Sequence, residues 1–308
     1  MIRTTLVSSA ILLLGLAPAG LEKVKLEFKH TENTSSTLES TIKTHQVLSI
    51  AGMDRETGSD RKVTVTRAVG KRGQDGRLPI HQKIDALVVQ LQLAPGVTVN
   101  FDSANPNVQN DNPQIQTMLE MLRASAGASH TIVLGKDNKV IGIEGAEKVL
   151  EKASPAAAEA LRADLDPERM KKAAEESFAV LPPDPVGEGD SWTRTSNLQI
   201  GGGQSLTFET RFEYAGTVEK AGKKLDKIAT STTSVKYAAS DKAPFKVPRS
   251  NLKIDSSKGA VLFDRAKGQV VESTSAMHIV GDMTFEVNGM EIPAELNLTF
   301  DTSTNLVK

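Results

Sequence analysis

The sequence predicts an α+β chain, mainly antiparallel β, with its helices gathered in the middle. Three observations carry this. Apolar residues alternate with polar ones through most of the first 110 and last 120 or so residues, the period of half-buried strands. Tight-turn dipeptides separate those runs, Asn288-Gly289 above all, which joins adjacent strands directly as hairpins. Between them the period changes to three and four, and asparagine, serine or aspartate followed by proline opens three of the runs, as at helix starts.

In order along the chain, Val24, Leu26 and Phe28 alternate with Lys23, Lys25, Glu27 and Lys29 as a first strand. Thr37 to Ile50 is a longer, less regular second. A polar turn over Asp54 to Asp60 leads to a third, on Val63, Val65 and Val69. Arg72-Gly73-Gln74-Asp75-Gly76 has strong turn chemistry. Leu87, Val89, Leu91 and Leu93 form the next strand, and Val97, Val99 and Phe101 follow Pro95-Gly96.

Asn112-Pro113 starts a helix whose apolar stripe is Ile115, Met118, Leu119 and Leu122, ending near Gly127. Thr131 to Ile143 is a hairpin turned by Lys136 to Lys139. A short helix from about Ala146 follows, then helices opened by Ser154-Pro155 and Asp166-Pro167. This is a jointed helical segment rather than one rod. Leu181-Pro182-Pro183-Asp184-Pro185 stops it, and the chain returns to strands from Trp192. Turns at Gly201-Gly202-Gly203, Ala221-Gly222, Lys267-Gly268 and Asn288-Gly289 divide the last part. Thr131 to Val140 and Ala260 to Val270 echo one another, which either two similar β-α halves or convergent hairpin chemistry would produce.

Residues 1–19 have the layout of a secretory signal peptide: Arg3, an apolar run from Leu6 to Leu16, and Ala17-Pro18-Ala19 with small residues at the cleavage positions. The run is too short to span a bilayer, and no later stretch is apolar enough. The expectation is a periplasmic or secreted protein of one β-rich domain, 20–308, with no transmembrane segment. Its parts are a first β half with one helix at 20–143, helices at 144–181 and a second β half at 186–308. Cysteine is absent, so a packed core rather than disulfides must hold the fold, and roughly 290 residues suffice for one. Basic and acidic residues number 37 and 38, which gives no basic surface for nucleic acid.

Catalytic signatures are missing. His30, His45, His81, His130 and His278 do not fall at metal-ligand spacing, and the sequence has no nucleophile elbow, P-loop or dinucleotide-binding glycine pattern. Asp102, Asn105, Asn107, Asn110 and Asp111 could offer oxygens to calcium, but their spacing fits turns and caps better. Gly201 to Gly203 reads as a hairpin tip, and Lys220, Lys223, Lys224 and Lys227 as a solvated strand edge. No enzyme, cofactor or metal is expected.

Two stretches are distinctive: Gly135-Lys-Asp-Asn-Lys-Val-Ile-Gly-Ile-Glu-Gly145, and Leu181-Pro-Pro-Asp-Pro-Val-Gly-Glu-Gly-Asp-Ser-Trp192. They resemble the "DKxGKVxxxEG" and "LPxxPVxxGDSW" regions of an uncharacterised, domain-of-unknown-function family of secreted bacterial proteins. The first departs from that pattern at Asn138, where glycine is usual. More loosely, the strand–helix–strand order is similar to that of periplasmic lipoprotein carriers. That resemblance implies a curved sheet or open half-barrel with the central helical segment packed on its concave face, and an acyl-binding cavity between them. Aromatics are only 4%, so aliphatic residues would line it.

Two functional readings follow. In one, a noncatalytic envelope protein binds a lipid, an acylated protein or another hydrophobic ligand between sheet and helices, through Met118, Leu119, Leu122, Met170, Phe178 and Trp192. In the other, a structural or protein-interaction module has a fully packed interior. Core leucine and cavity leucine make the same pattern, so both stay open.

Overall fold

The structure is a computed structural model that describes residues 23–201, 203–240, 243, 246–287 and 289–308. The expected signal peptide lies outside the described residues. Twelve antiparallel strands form one open sheet: β1 (Thr34–Ile50), β2 (Met53–Val69), β3 (Leu78–Ala94), β4 (Val97–Asp102), β5 (Ser129–Leu134), β6 (Val140–Glu144), β7 (Ser191–Gly201), β8 (Gln204–Lys220), β9 (Lys223–Ala239), β10 (Lys246–Asp264), β11 (Gln269–Val287) and β12 (Met290–Leu306). Their order is β6-β5-β3-β2-β1-β12-β11-β10-β9-β8-β7, and β4 also pairs with β3. Four helices sit between β4 and β7: α1 (Pro113–Ser125), α2 (Lys148–Lys152), α3 (Pro155–Arg162) and α4 (Pro167–Phe178), with β5 and β6 between α1 and α2. The fold is α+β and mainly antiparallel.

The helix starts follow the sequence. Asn112 Oδ1 accepts from the amides of Gln114 and Ile115 at 2.9 and 3.4 Å, and Asp166 Oδ1 accepts from Arg169 N at 2.9 Å. Proline follows each cap, where its missing N–H costs nothing.

Two strand expectations are corrected. Asp54 to Asp60 is not a turn. It belongs to β2, and the turn is Ala51-Gly52, both at positive φ. The polar run is tolerated because it is laddered against β1, with Lys43 and Asp60 paired at 2.8 Å. Residues 23–30 are not a sheet strand. They are extended, joined by one bridge between Val24 and Val186 and by Lys29 N to Gly268 O at 3.0 Å. Alternation persists because Leu26 is buried beneath this strap while its lysines face water.

The register shows which face of the sheet is inward. Thr44, Gln46 and Leu48 of β1 stand opposite Ser59, Thr57 and Arg55 of β2. The same odd-numbered face of β2 carries Val63 and Val69, which pack against the helix-bearing clusters. The helices therefore lie on the face that the sheet curves around. In one seam Leu119 and Leu122 of α1 meet Leu87, Val89, Val99 and Phe101. In the next, Ala174 and Phe178 of α4 meet Leu78, Ile80, Ile132 and Leu134. A third cluster joins the strap to the second half through Leu26, Leu181, Val186, Tyr214, Ile228 and Phe263. Beneath it Asp226, only 2% exposed, accepts from Tyr214 Oη at 2.8 Å and from both Nη2 and Nε of Arg265 at 2.7 and 3.0 Å.

Both distinctive stretches serve the fold. Asn138 sits at positive φ, where glycine is the least strained residue, and its Oδ1 accepts from Arg72 Nη2 at 2.6 Å. Asp190 Oδ2 accepts from Gly187 N at 2.9 Å, and Trp192 Nε1 donates to Val180 O at 3.1 Å. That pins the helix exit to β7.

Candidate functional site

The inward face is not filled along its whole length. Toward one end lies an apolar trough of about 450 Å³. Its wall comes from Leu48 of β1, Leu93 of β3, Leu198 and Ile200 of β7, Leu206 of β8 and Leu252 of β10. Met283 and Phe285 of β11 and Leu296, Leu298 and Phe300 of β12 complete it. β3 and β7 have seven strands between them in the sheet order yet line one hollow, so the sheet is strongly curved. Its edge strands β6 and β7 do not pair, and the half-barrel stays open.

Each wall residue is placed by the two-residue period of its strand. Leu296, Leu298 and Phe300 face inward together. Across the ladder Gly281, Ile279 and Met277 stand opposite them on β11, and Leu48, Gln46 and Thr44 on β1. Gly281 is required where β10 passes close: a Cβ there would lie 2.1 Å from Asn251 O.

The polar part of the lining is neutral: Thr44, Gln46, Thr57, Ser59, Gln92, Gln204 and Tyr237, with no charged side chain. Tyr237 Oη donates to Gln204 Oε1 at 2.8 Å, and burial pushes the phenol pKa up. An apolar wall with a few neutral hydrogen-bonding groups suits a hydrophobic ligand carrying uncharged polar atoms. The volume falls within the range of about 300–1,000 Å³ usual for small-molecule sites.

The trough lies near one end of the strands. The pairings bring the β1–β2, β3–β4, β7–β8 and β11–β12 turns to that same end. Met53 and Met290 there are 65% and 63% exposed, and Val97, Leu198, Ile200 and Val287 are also exposed. Six of the ten large apolar residues most exposed among the described residues thus ring one end of the sheet. Two ion pairs lie among them, Lys246 with Glu286 at 3.4 Å and Arg249 with Glu291.

A larger hollow of about 720 Å³ lies on the seam of β9 and β10, where laddering is confined to Asp226–Thr230 against Gly259–Phe263. Its lining includes Lys246, Arg249 and Glu286 and borders residues outside those described.

The six residues expected to bind ligand are not brought together. Leu119, 1% exposed, and Leu122 belong to the α1 seam, Phe178 to the α4 seam, and Trp192 to the strap cluster, stacked on Phe212 at 5.7 Å. Met118 and Met170 are half-buried on α1 and α4. None of the six lines the trough. Sequence reasoning placed a cavity under the helices, where the amphipathic stripes are strongest, and those seams are close-packed. The trough residues had a weaker signal: leucine or phenylalanine on the inward face of strands that no helix covers.

The Asx-rich loop is occupied by backbone. Asp102 Oδ1 accepts from Ala104 N at 2.8 Å, Asn110 Oδ1 from Asn112 N at 2.9 Å, and Asn112 caps α1. Among the described residues no group of three or more histidine, aspartate or glutamate side chains could hold a metal ion, and no helix is long and apolar enough to cross a membrane.

Comparison with known proteins fits the distinctive stretches. Residues 75–270 match the model of a family of unknown function, DUF6263. That is more than half of the chain, and the chain belongs to this family. No curated protein matches it. Among solved structures, lipovitellin, described by its lipid–protein interactions, is 8% identical with a TM-score of 0.40; the similarity covers 91% of this chain and 26% of that one. The chain thus spans about a quarter of lipovitellin's length. DynF of the dynemicin pathway of Micromonospora chersina is 10% identical with a TM-score of 0.18, covering 92% and 85% of the two chains. Pseudomonas aeruginosa OpdQ is 8% identical at 0.23, covering 89% and 99%. At these scores the likenesses carry no argument about function.

Proposed function

We propose that this is a noncatalytic protein of the bacterial envelope, periplasmic or secreted, that binds a lipid or other hydrophobic ligand in the trough. One observation carries the reading: a 450 Å³ hollow walled by leucine, isoleucine, methionine and phenylalanine and free of charged side chains. A fully packed module has no use for it. Each CH₂ group taken out of water contributes about 0.8 kcal/mol, so a twelve-carbon chain yields roughly 10 kcal/mol before the cost of association. The exposed apolar ring beside the trough is where such a ligand enters. The cleavable leader expected at residues 1–19 supplies the compartment.

The test is displacement of a polarity-sensitive acyl probe by an unlabelled fatty acid. The reading expects saturable binding that Ile200→Asp weakens and Leu119→Ala leaves intact in the folded fraction. Absence of saturable probe binding would overturn it.

A further inference from the structure

A different part of the inward face carries a second inference, independent of the trough. Arg67 of β2 stands opposite Gln82 of β3, which stands opposite His130 of β5, so the three share the face that also bears Val69, Ile80 and Ile132. With its amide turned so that the oxygen faces Arg67, Gln82 accepts from Arg67 Nη2 and Nε at 3.0 and 3.1 Å. His30 of the strap lies within electrostatic reach of Arg67, and its ring is 5.5 Å from that of Phe178, which packs on the same Ile80 and Ile132 cluster at the end of α4.

We propose that Arg67, His30 and His130 form a binding site for a small oxyanion, a phosphate or carboxylate group, beneath the end of α4.

Arg67 takes part in no ion pair among the described residues. Neighbouring Arg72 is also answered by neutral groups only: Gly76 O at 2.6 Å, Gly135 O at 2.9 Å and Asn138 Oδ1 at 2.6 Å. Just after α4, Ala179 O and Leu181 O accept from Arg194 at 2.9 and 3.4 Å, not from Arg67. Half-burying a guanidinium without a carboxylate is costly, and such groups are ordinarily paired.

The electrostatics agree. Burial holds the Arg67 guanidinium pKa down. His30 is pushed down to about 4, first by burial and then by Arg67 and Arg72, and His130 is lowered by burial and by Arg67. An anion placed among them would relieve all three.

The site is reachable. Arg67, His30 and His130 are each only partly buried, and no buried side-chain nitrogen or oxygen lacks a partner among the described residues, so the remaining Arg67 donors touch solvent. A guanidinium offers a planar fork that fits carboxylate or phosphate with two parallel bonds. Two imidazoles that protonate beside it add donors as the anion arrives.

The experiment is a histidine-resolved NMR titration of the full protein with inorganic phosphate, with acetate in parallel and sodium chloride as the ionic-strength control. The expected result is a saturable shift of His30 and His130 and a rise in both apparent pKa values, while His45, His81 and His278 stay still. A stronger response to phosphate assigns phosphate esters as the ligand class; an equal response to acetate assigns carboxylates. Arg67→Met should raise both histidine pKa values without ligand and abolish the response. Arg67→Lys, which keeps the charge and loses the fork, should weaken it several-fold. No response of His30 and His130 to either anion, a response matched by chloride, or an undiminished one in folded Arg67→Met would overturn the site.

Discussion

Ile200→Asp and Leu119→Ala separate binding from folding. Ile200 is 48% exposed at the lip of the trough. Complete burial of an isoleucine side chain contributes about 1.5–3 kcal/mol, so roughly half of that, about 1 kcal/mol, is left for a ligand to gain by covering it. Replacing it with aspartate removes that gain and sets a carboxylate against the ligand's apolar surface, an added desolvation cost. At about 1.4 kcal/mol per decade the acyl-probe affinity should fall at least about tenfold. Stability should move by no more than about 0.5 kcal/mol, as at other exposed positions. Leu119 is the converse: it is 1% exposed in the α1 seam and outside the trough. Truncation there leaves a cavity costing about 2–5 kcal/mol, which for a chain of this size lowers Tm by about 4–10 °C. Folded Leu119→Ala should bind probe normally. Probe titrations and thermal melts of the two variants decide it. Unchanged affinity in Ile200→Asp, or lost affinity in folded Leu119→Ala, would refute the placement of the site.

Four further outcomes follow from the structure. Asp226→Asn removes the buried carboxylate that accepts from Tyr214 and Arg265 and should cost about 1–3 kcal/mol in chemical denaturation. The Tyr214 phenol is pushed up to about 12, by burial and then by Asp226, against an ordinary value of 10. Since the unfolded chain ionises first, stability should fall as pH rises from about 10 toward 12, and Tyr214→Phe should flatten that slope. His30 titrates near 4 when folded and near 6.5 when unfolded, so stability should fall as pH drops from about 6.5 toward 4, less steeply in His30→Gln. Gly281→Ala should lower Tm, because its Cβ would strike Asn251 O and the backbone there holds φ at +151°.

Much of the architecture was legible because turns and caps are local. Asn112, Ser154 and Asp166 cap helices as their proline neighbours foretold, and Asn138 takes the positive φ at which the family pattern carries glycine. The Asp54 to Asp60 run misled because strand pairing with β1 overrode composition. The trough was illegible for a different reason. Leu93 and Ile200 are over a hundred residues apart and meet only because the sheet curves, and an inward leucine reads the same whether atoms or empty space face it. Arg67 did leave a trace: it interrupts the alternating Val63, Val65 and Val69 on the inward side of β2. An arginine in an apolar register is the sign that could have marked it.

The most direct measurement is native mass spectrometry of the protein alongside Ile200→Asp, before and after incubation with phospholipid vesicles. The account predicts an added mass of lipid size on the wild-type chain, removed by organic extraction and much reduced in the variant. A wild-type chain that stays at its bare mass after incubation would contradict the claim that the trough holds a hydrophobic ligand.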